Sequence, residues 1–180
     1  MEKDFETTLQ GLRQGKPDAF RACVDRFQRP LFRFLRGFGL PATVVEEVAQ
    51  ETFLRVFARI QTYDPARGSS FPSWLFVIAR NLALHEIRRA AQFASYSTTS
   101  HQVSVQSSPG LGTVSSLVLH EALDRLDVEF RNAFLLFSVA GLSISEIATA
   151  ENVAEGTVKS RIFRAKKRLQ ELLGEERSRR

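Results

Sequence analysis

Residues 156–169, GTVKSRIFRAKKRL, hold six basic residues between Lys159 and Arg168, no acidic one, and a phenylalanine in their midst. On a helical wheel Val158, Ile162, Ala165 and Leu169 share one side, which packs inward. Ser160, Phe163, Arg164 and Lys167 fall on the opposite side, with Lys159 on the flank. A solvated face explains the charges but does not favour an outward Phe. A helix in a DNA major groove explains both: Lys and Arg meet phosphates and guanine edges, and Phe contacts a thymine methyl. Just upstream, Ser143-Ile144-Ser145-Glu146 has the Ser-x-x-Glu spacing of a capping box and opens a short helix, SISEIATA. The residues ENVAE then lead into the basic helix. A short helix, a turn and a second, cationic helix predict a helix-turn-helix.

The rest of the chain reads as helix too. Leu119, Ala122, Leu123 and Leu126 form one amphipathic stripe, and Asp127 is placed to cap a following helix that ends at Gly141. Nearer the N-terminus, Asp18 is placed to cap a helix through AFRACVDRFQRPLFRFLRGF, with a kink expected at Pro30 and an end at Gly37–Gly39. Thr43–Glu46 suggests another capping box, opening a helix to about Ile60 whose Val45, Val48, Ala49, Phe53, Val56 and Ile60 share a face. A turn-rich loop, YDPARGSS, precedes a helix from about Phe71 to Ala91 with Trp74, Leu75, Ile78 and Leu82 inward.

Between these halves, residues 92–115 (QFASYSTTSHQVSVQSSPGLGTVS) contain no Asp, Glu, Lys or Arg and no sustained periodicity. Such a stretch buries too little apolar surface to offset its ordering entropy and reads as a flexible linker. The expected organisation is all-α: a helical domain over 1–91, the linker over 92–115, and a helix-turn-helix domain over 116–180.

The 180 residues carry a net charge of +5 and 43% hydrophobic residues, enough for packed cores. Of the 11 basic residues after position 115, six lie within 159–168, so the charge marks one anionic partner at one place. The single cysteine, Cys23, sits in an apolar helical pattern and excludes an internal disulfide and a cysteine-based zinc site. His85, His101 and His120 offer no metal-ligand spacing. With no apolar leader after MEKDFETT and no 18-residue apolar span, a cytoplasmic protein without membrane insertion is expected. No phosphate loop, βαβ alternation or catalytic constellation is present, so neither a cofactor nor enzymatic activity is expected.

EIATAENVAEGTVKSRIFRAKKRL resembles the fourth region of extracytoplasmic-function sigma factors, the specificity subunits of bacterial RNA polymerase. VAQETFLRVFARI and SSFPSWLFVIARNLALHEIRR resemble two blocks of their second region. The resemblance spans about residues 18–91 and 118–172. It implies that the second region holds core RNA polymerase and melts the −10 element, while the fourth reads the −35 element of promoter DNA.

Residue by residue, Glu47, Gln50, Glu51 and Leu54 match the helix that docks on polymerase. An outward Leu beside Gln and Glu independently suggests a partner surface. Arg80, Asn81, Leu84 and Arg88 match the −10 helix, Asn81 being the base-contacting asparagine, and the loop Tyr63–Phe71 is implied as the wall of a pocket for a flipped base. At the −35 element the resemblance implies base contacts from Ser160, Phe163 and Arg164 and phosphate contacts from Thr157, Lys159, Arg161 and Lys167. An inhibitory anti-sigma factor is an implied partner. His85 departs from the family's usual acidic residue, and the uncharged linker departs from the acidic linkers of many members. The rival readings are a helix-turn-helix regulator that works without polymerase, and a helical adaptor whose basic helix meets an acidic protein.

Overall fold

The computed structural model describes residues 2–67, 69–96 and 114–178. Among them are eight α-helices and no strand: α1 Glu2–Arg13, α2 Pro17–Arg36, α3 Ala42–Ala58, α4 Phe71–Tyr96, α5 Val114–Asp124, α6 Val128–Ser138, α7 Ile144–Glu151 and α8 Glu155–Ser178. Two 3-10 turns, Ile60–Thr62 and Pro65–Arg67, lie between α3 and α4.

Helix α1 was not anticipated, although Phe5, Leu9 and Leu12 carry its stripe; Leu9 and Leu12 are buried against α2. Two expected caps are absent. Pro17, whose ring presets a helical φ, occupies the first turn of α2, so Lys16 is the N-cap and Asp18 lies inside the turn. Pro41 stands at the N-cap of α3, so Thr43 is already helical and makes no capping box. Helix α2 runs through Pro30 to Arg36. Helix α4 continues to Tyr96, five residues into the expected linker; α5 begins at Val114, and the linker's residues 97–113 lie outside the described part.

The first four helices close around an aromatic core. Phe34 of α2 packs at 5.1 Å from Phe76 of α4 and 5.2 Å from Phe38, and Phe27 and Tyr63 lie 5.6 and 5.5 Å from Phe71. The α3 stripe from Val45 to Ile60 is buried as its periodicity requires. On α4 the buried face is Leu75, Phe76, Ala79, Leu82 and Ala83, so Trp74 and Ile78 sit at its edge rather than in its centre. Cys23 is fully buried, and desolvation pushes its thiol up to about 12 despite the opposing charge of Arg26. It is a packing residue.

In the second half α6 and α8 form the main contact, with α5 and α7 against α8. Val158, Ile162, Ala165, Leu169 and Leu172 of α8 are buried. Leu119, expected in the α5 stripe, remains 38% exposed while Ala122, Leu123 and Leu126 are buried. Asp127 is the N-cap of α6 without a side-chain cap bond, and α6 stops at Ser138, short of Gly141.

The halves meet along a seam. Leu135 of α6 lies so close to Gly37 that a Cβ there would overlap its Cδ2, and Gly39, at φ +70°, leaves room for Asp124. Arg131 Nη1 donates to Phe38 O at 3.2 Å, and α7 touches α4.

Candidate functional site

The helix-turn-helix is built from α7 and α8. At the start of α7 the capping box is complete: Ser143 Oγ accepts from Glu146 N at 3.2 Å, and Glu146 Oε2 accepts from Ser143 N at 2.9 Å. Asn152 ends α7 in the left-handed conformation at φ 53°, which turns the chain into α8. These local choices fix the angle at which α8 leaves the domain.

On α8, Lys159, Ser160, Phe163, Arg164 and Lys167 are all exposed, Phe163 at 69%. Ser160 Oγ donates to Thr157 O at 2.9 Å, and Thr157 is half-buried at the first turn. The Arg164 guanidinium lies 6.0 Å from the Phe130 ring, which steadies the side chain without neutralising it. Arg125 and Arg168 join Arg164 and Lys167 around a recess of about 290 Å³ at the inner end of this face. The sequence reading did not single out Arg125 or Arg168; Arg168 also pairs with Glu171 at 3.2 Å. Lys166 is turned away, its Nζ 5.1 Å from the Phe137 ring.

Arg161 differs from its neighbours. It is turned inward, with Nη1 2.7 Å from Glu151 Oε2 and Nη2 2.7 Å from Glu129 Oε2. Glu151, only 3% exposed, also accepts from Asn132 Nδ2 and lies 3.6 Å from Arg80 Nη2 across the seam. One buried carboxylate therefore serves an arginine of α4 and an arginine of α8. Neither Glu129, Asn132 nor Glu151 was singled out from sequence.

On α4, Asn81 and Arg88 are exposed and Leu84 is half-buried. Arg80 is mostly covered: burial lowers the pKa of its guanidinium while Glu151 opposes the shift, and its Nε is buried without a partner. Its Nη1 donates to Asn81 Oδ1 at 3.1 Å, which orients the asparagine amide. His85 is exposed and faces Glu86 at 3.4 Å.

The loop before α4 is pinned from two sides. Arg13 Nη2 donates to Tyr63 O at 2.9 Å, and Tyr63 Oη donates to Ser69 O at 3.2 Å. Trp74 packs 5.4 Å from Tyr63 and 5.9 Å from Phe71. Ser70 caps α4, accepting from Ser73 N at 3.3 Å, and its hydroxyl donates to Glu146 Oε1. Desolvation alone raises the Glu146 pKa, but bonds from Ser70 and Ser143 outweigh it and hold the carboxyl below its ordinary range.

On α3, Glu47, Gln50 and Leu54 are exposed, Leu54 at 55%, and Glu51 accepts from Arg55 Nε at 2.6 Å. This face points away from the core formed by α2 and α4. Among the described residues no group of three or more His, Cys, Asp or Glu is arranged to hold a metal ion, and no helix is long and apolar enough to cross a membrane.

The family described as Sigma-70 region 2 matches residues 23–93, and Sigma-70, region 4 matches residues 116–169. The chain is 34% identical over 146 residues to the ECF RNA polymerase sigma factor EcfG of Rhodopseudomonas palustris (strain TIE-1), covering 77% of this chain and 78% of that one. It is 30% identical over 169 residues to the RNA polymerase sigma factor CarQ of Myxococcus xanthus, covering 93% and 96%. Among solved structures it resembles CnrH in complex with the cytosolic domain of CnrY, at TM-score 0.69 and 27% identity over 93% of this chain and 96% of that one. It also resembles the sigma factor RpoE bound to the anti-sigma factor NepR from Bartonella quintana, at TM-score 0.71 and 26% identity over 86% and 96%.

Proposed function

The chain belongs to the extracytoplasmic-function sigma factors of bacterial RNA polymerase, and on that premise we propose a task for each of its exposed faces. Glu47, Gln50, Glu51 and Leu54 of α3 dock on core polymerase. Asn81 and Arg88 of α4, with Arg80 and Leu84 beside them, hold the separated strand at the −10 element, against the wall formed by the described loop residues 63–67 and 69–71. Ser160, Phe163 and Arg164 of α8 read the −35 element, and Thr157, Lys159 and Lys167 meet its phosphates.

The observation that carries this reading is the outward face of α8, where Phe163 is 69% exposed among unburied cations. An exposed ring on a helix so charged gains from a thymine methyl what it cannot gain from water. Arg161 is a structural member of the motif first. It reaches phosphate only by exchanging one of its two carboxylates. Arg80 likewise reaches a strand only by leaving Glu151, so strand capture and separation of the halves are one event.

The division at 1–91, 92–115 and 116–180 follows the same logic, with the linker giving the two DNA-reading surfaces their separate reach. The protein works in the cytoplasm by binding alone, without catalysis of its own. Solved relatives are held by an anti-sigma factor or by a cytosolic protein domain, and a partner of that kind holds this chain away from polymerase.

Permanganate footprinting of a reconstituted holoenzyme, with DNase I footprinting for the −35 duplex, tests the scheme. Thymines at the −10 element become reactive with the native chain; with Asn81→Ala that reactivity falls while −35 protection persists. Protection confined to −35, with no reactive thymine even for the native chain, contradicts the assignment of α4.

A further inference from the structure

A further cationic surface lies on α2, on residues that belong to none of the three faces assigned above. Arg29, Arg33 and Arg36 are exposed on successive turns, at the spacing that puts neighbouring Cβ atoms about 5–6 Å apart. None has a carboxylate within 4 Å among the described residues, whereas Arg55, Arg80, Arg131 and Arg161 each do. With Gln28, the half-buried Phe32 and His120 of α5 they line an open recess of about 600 Å³.

We propose that this recess binds a short single-stranded stretch of nucleic acid, through its phosphates and one stacked base. Three guanidiniums in a row along a helix suit successive phosphates of an extended strand. Phe32 and the arginine planes offer stacking faces, and the Gln28 amide offers a donor and an acceptor to a base edge. A duplex keeps its bases inside and leaves Phe32 without a stacking partner. An acidic peptide answers the charges but leaves the aromatic floor and the amide unused. The sigma reading supplies the source of the strand, the melted promoter; the chemistry of the recess stands without it.

Fluorescence anisotropy of a labelled oligothymidylate with the full chain tests the proposal over a salt titration. Asn81→Ala is used as the background, so that the strand-binding face of α4 contributes little. The three arginines are exposed, so replacing all three by Ala leaves the fold intact, which circular dichroism and unchanged binding of a −35 duplex verify. The triple variant is expected to bind at least tenfold more weakly, and its log–log salt slope to shallow by about 2, near 0.7 for each of three phosphate contacts. Phe32→Leu, which keeps volume but not the ring face, is expected to lose at least fivefold without changing the slope.

An unchanged affinity and slope in the triple variant overturn the proposal. So does stronger competition by a polyglutamate peptide than by unlabelled oligothymidylate, which assigns the recess to an acidic protein segment. If strand binding behaves as expected while the chain directs no transcription, the recess stands and the sigma reading falls.

Discussion

Arg161 Nη1 lies 2.7 Å from Glu151 Oε2, joining the last residue of α7 to the second turn of α8. The same carboxylate receives Asn132 from α6 and faces Arg80 from α4. The family resemblance implies a phosphate contact for Arg161; its partners, ten and 32 residues away, tie it to the frame that holds α8. Removing Glu151 therefore leaves two largely covered guanidiniums short of a counter-charge. Glu151→Ala is expected to cost about 2–3 kcal/mol, below the usual figure for a broken buried pair because Arg161 keeps Glu129. Urea unfolding measures it. A loss under about 0.5 kcal/mol would show that the network is incidental.

Arg164 and Lys167 sit on the same exposed face and are expected to fail differently. Arg164→Ala weakens binding to promoter duplex by about 1–3 kcal/mol and leaves random duplex nearly unchanged. Lys167→Ala weakens both alike and reduces the salt slope by about 1. Competition binding at several salt concentrations separates them. Equal weakening of promoter and random duplex by Arg164→Ala refutes its role as a reader.

Leu54 is exposed on a helix whose other face is fully packed. Leu54→Asp is expected to leave unfolding within about 0.5 kcal/mol of the native chain. Its affinity for core polymerase should fall at least tenfold, about 1.4 kcal/mol. Native affinity with unchanged stability would remove α3 from the docking surface.

Glu146 links the cap of α7 to the cap of α4 through Ser70. Its desolvation is outweighed by those bonds, so its pKa is lower folded than unfolded. The stability it provides is complete above its unfolded pKa and is lost as pH falls through the folded one. Thermal unfolding between neutral and acid pH is expected to show this loss for the native chain and a flatter profile for Glu146→Gln. Parallel profiles would mean that the bonds do not favour the ionised form.

Much of this was legible in the chain, for physical reasons that differ by residue. The inward faces of α3 and α8 follow from periodicity alone, because a helix that buries Val45, Val48 and Val56, or Val158, Ile162 and Leu169, has no other way to orient. The Ser143 capping box was legible because its two partners lie three residues apart. The expected box at Thr43 failed because Pro41 already starts the helix, and Asp18 failed because Pro17 takes the first turn. Helix α1 was overlooked although Phe5, Leu9 and Leu12 recur at helical spacing; its charged opening hid them. The engagement of Arg80 and Arg161 was out of reach, since it depends on carboxylates brought close only by tertiary packing.

The most direct test is transcription by purified core polymerase on a promoter library, with and without this chain, read by sequencing the transcripts. New start sites that share two spaced upstream elements are predicted, and Leu54→Asp should abolish them. If core polymerase neither binds the chain nor gains a start site, the assignment of α3 and the sigma account built on it are contradicted.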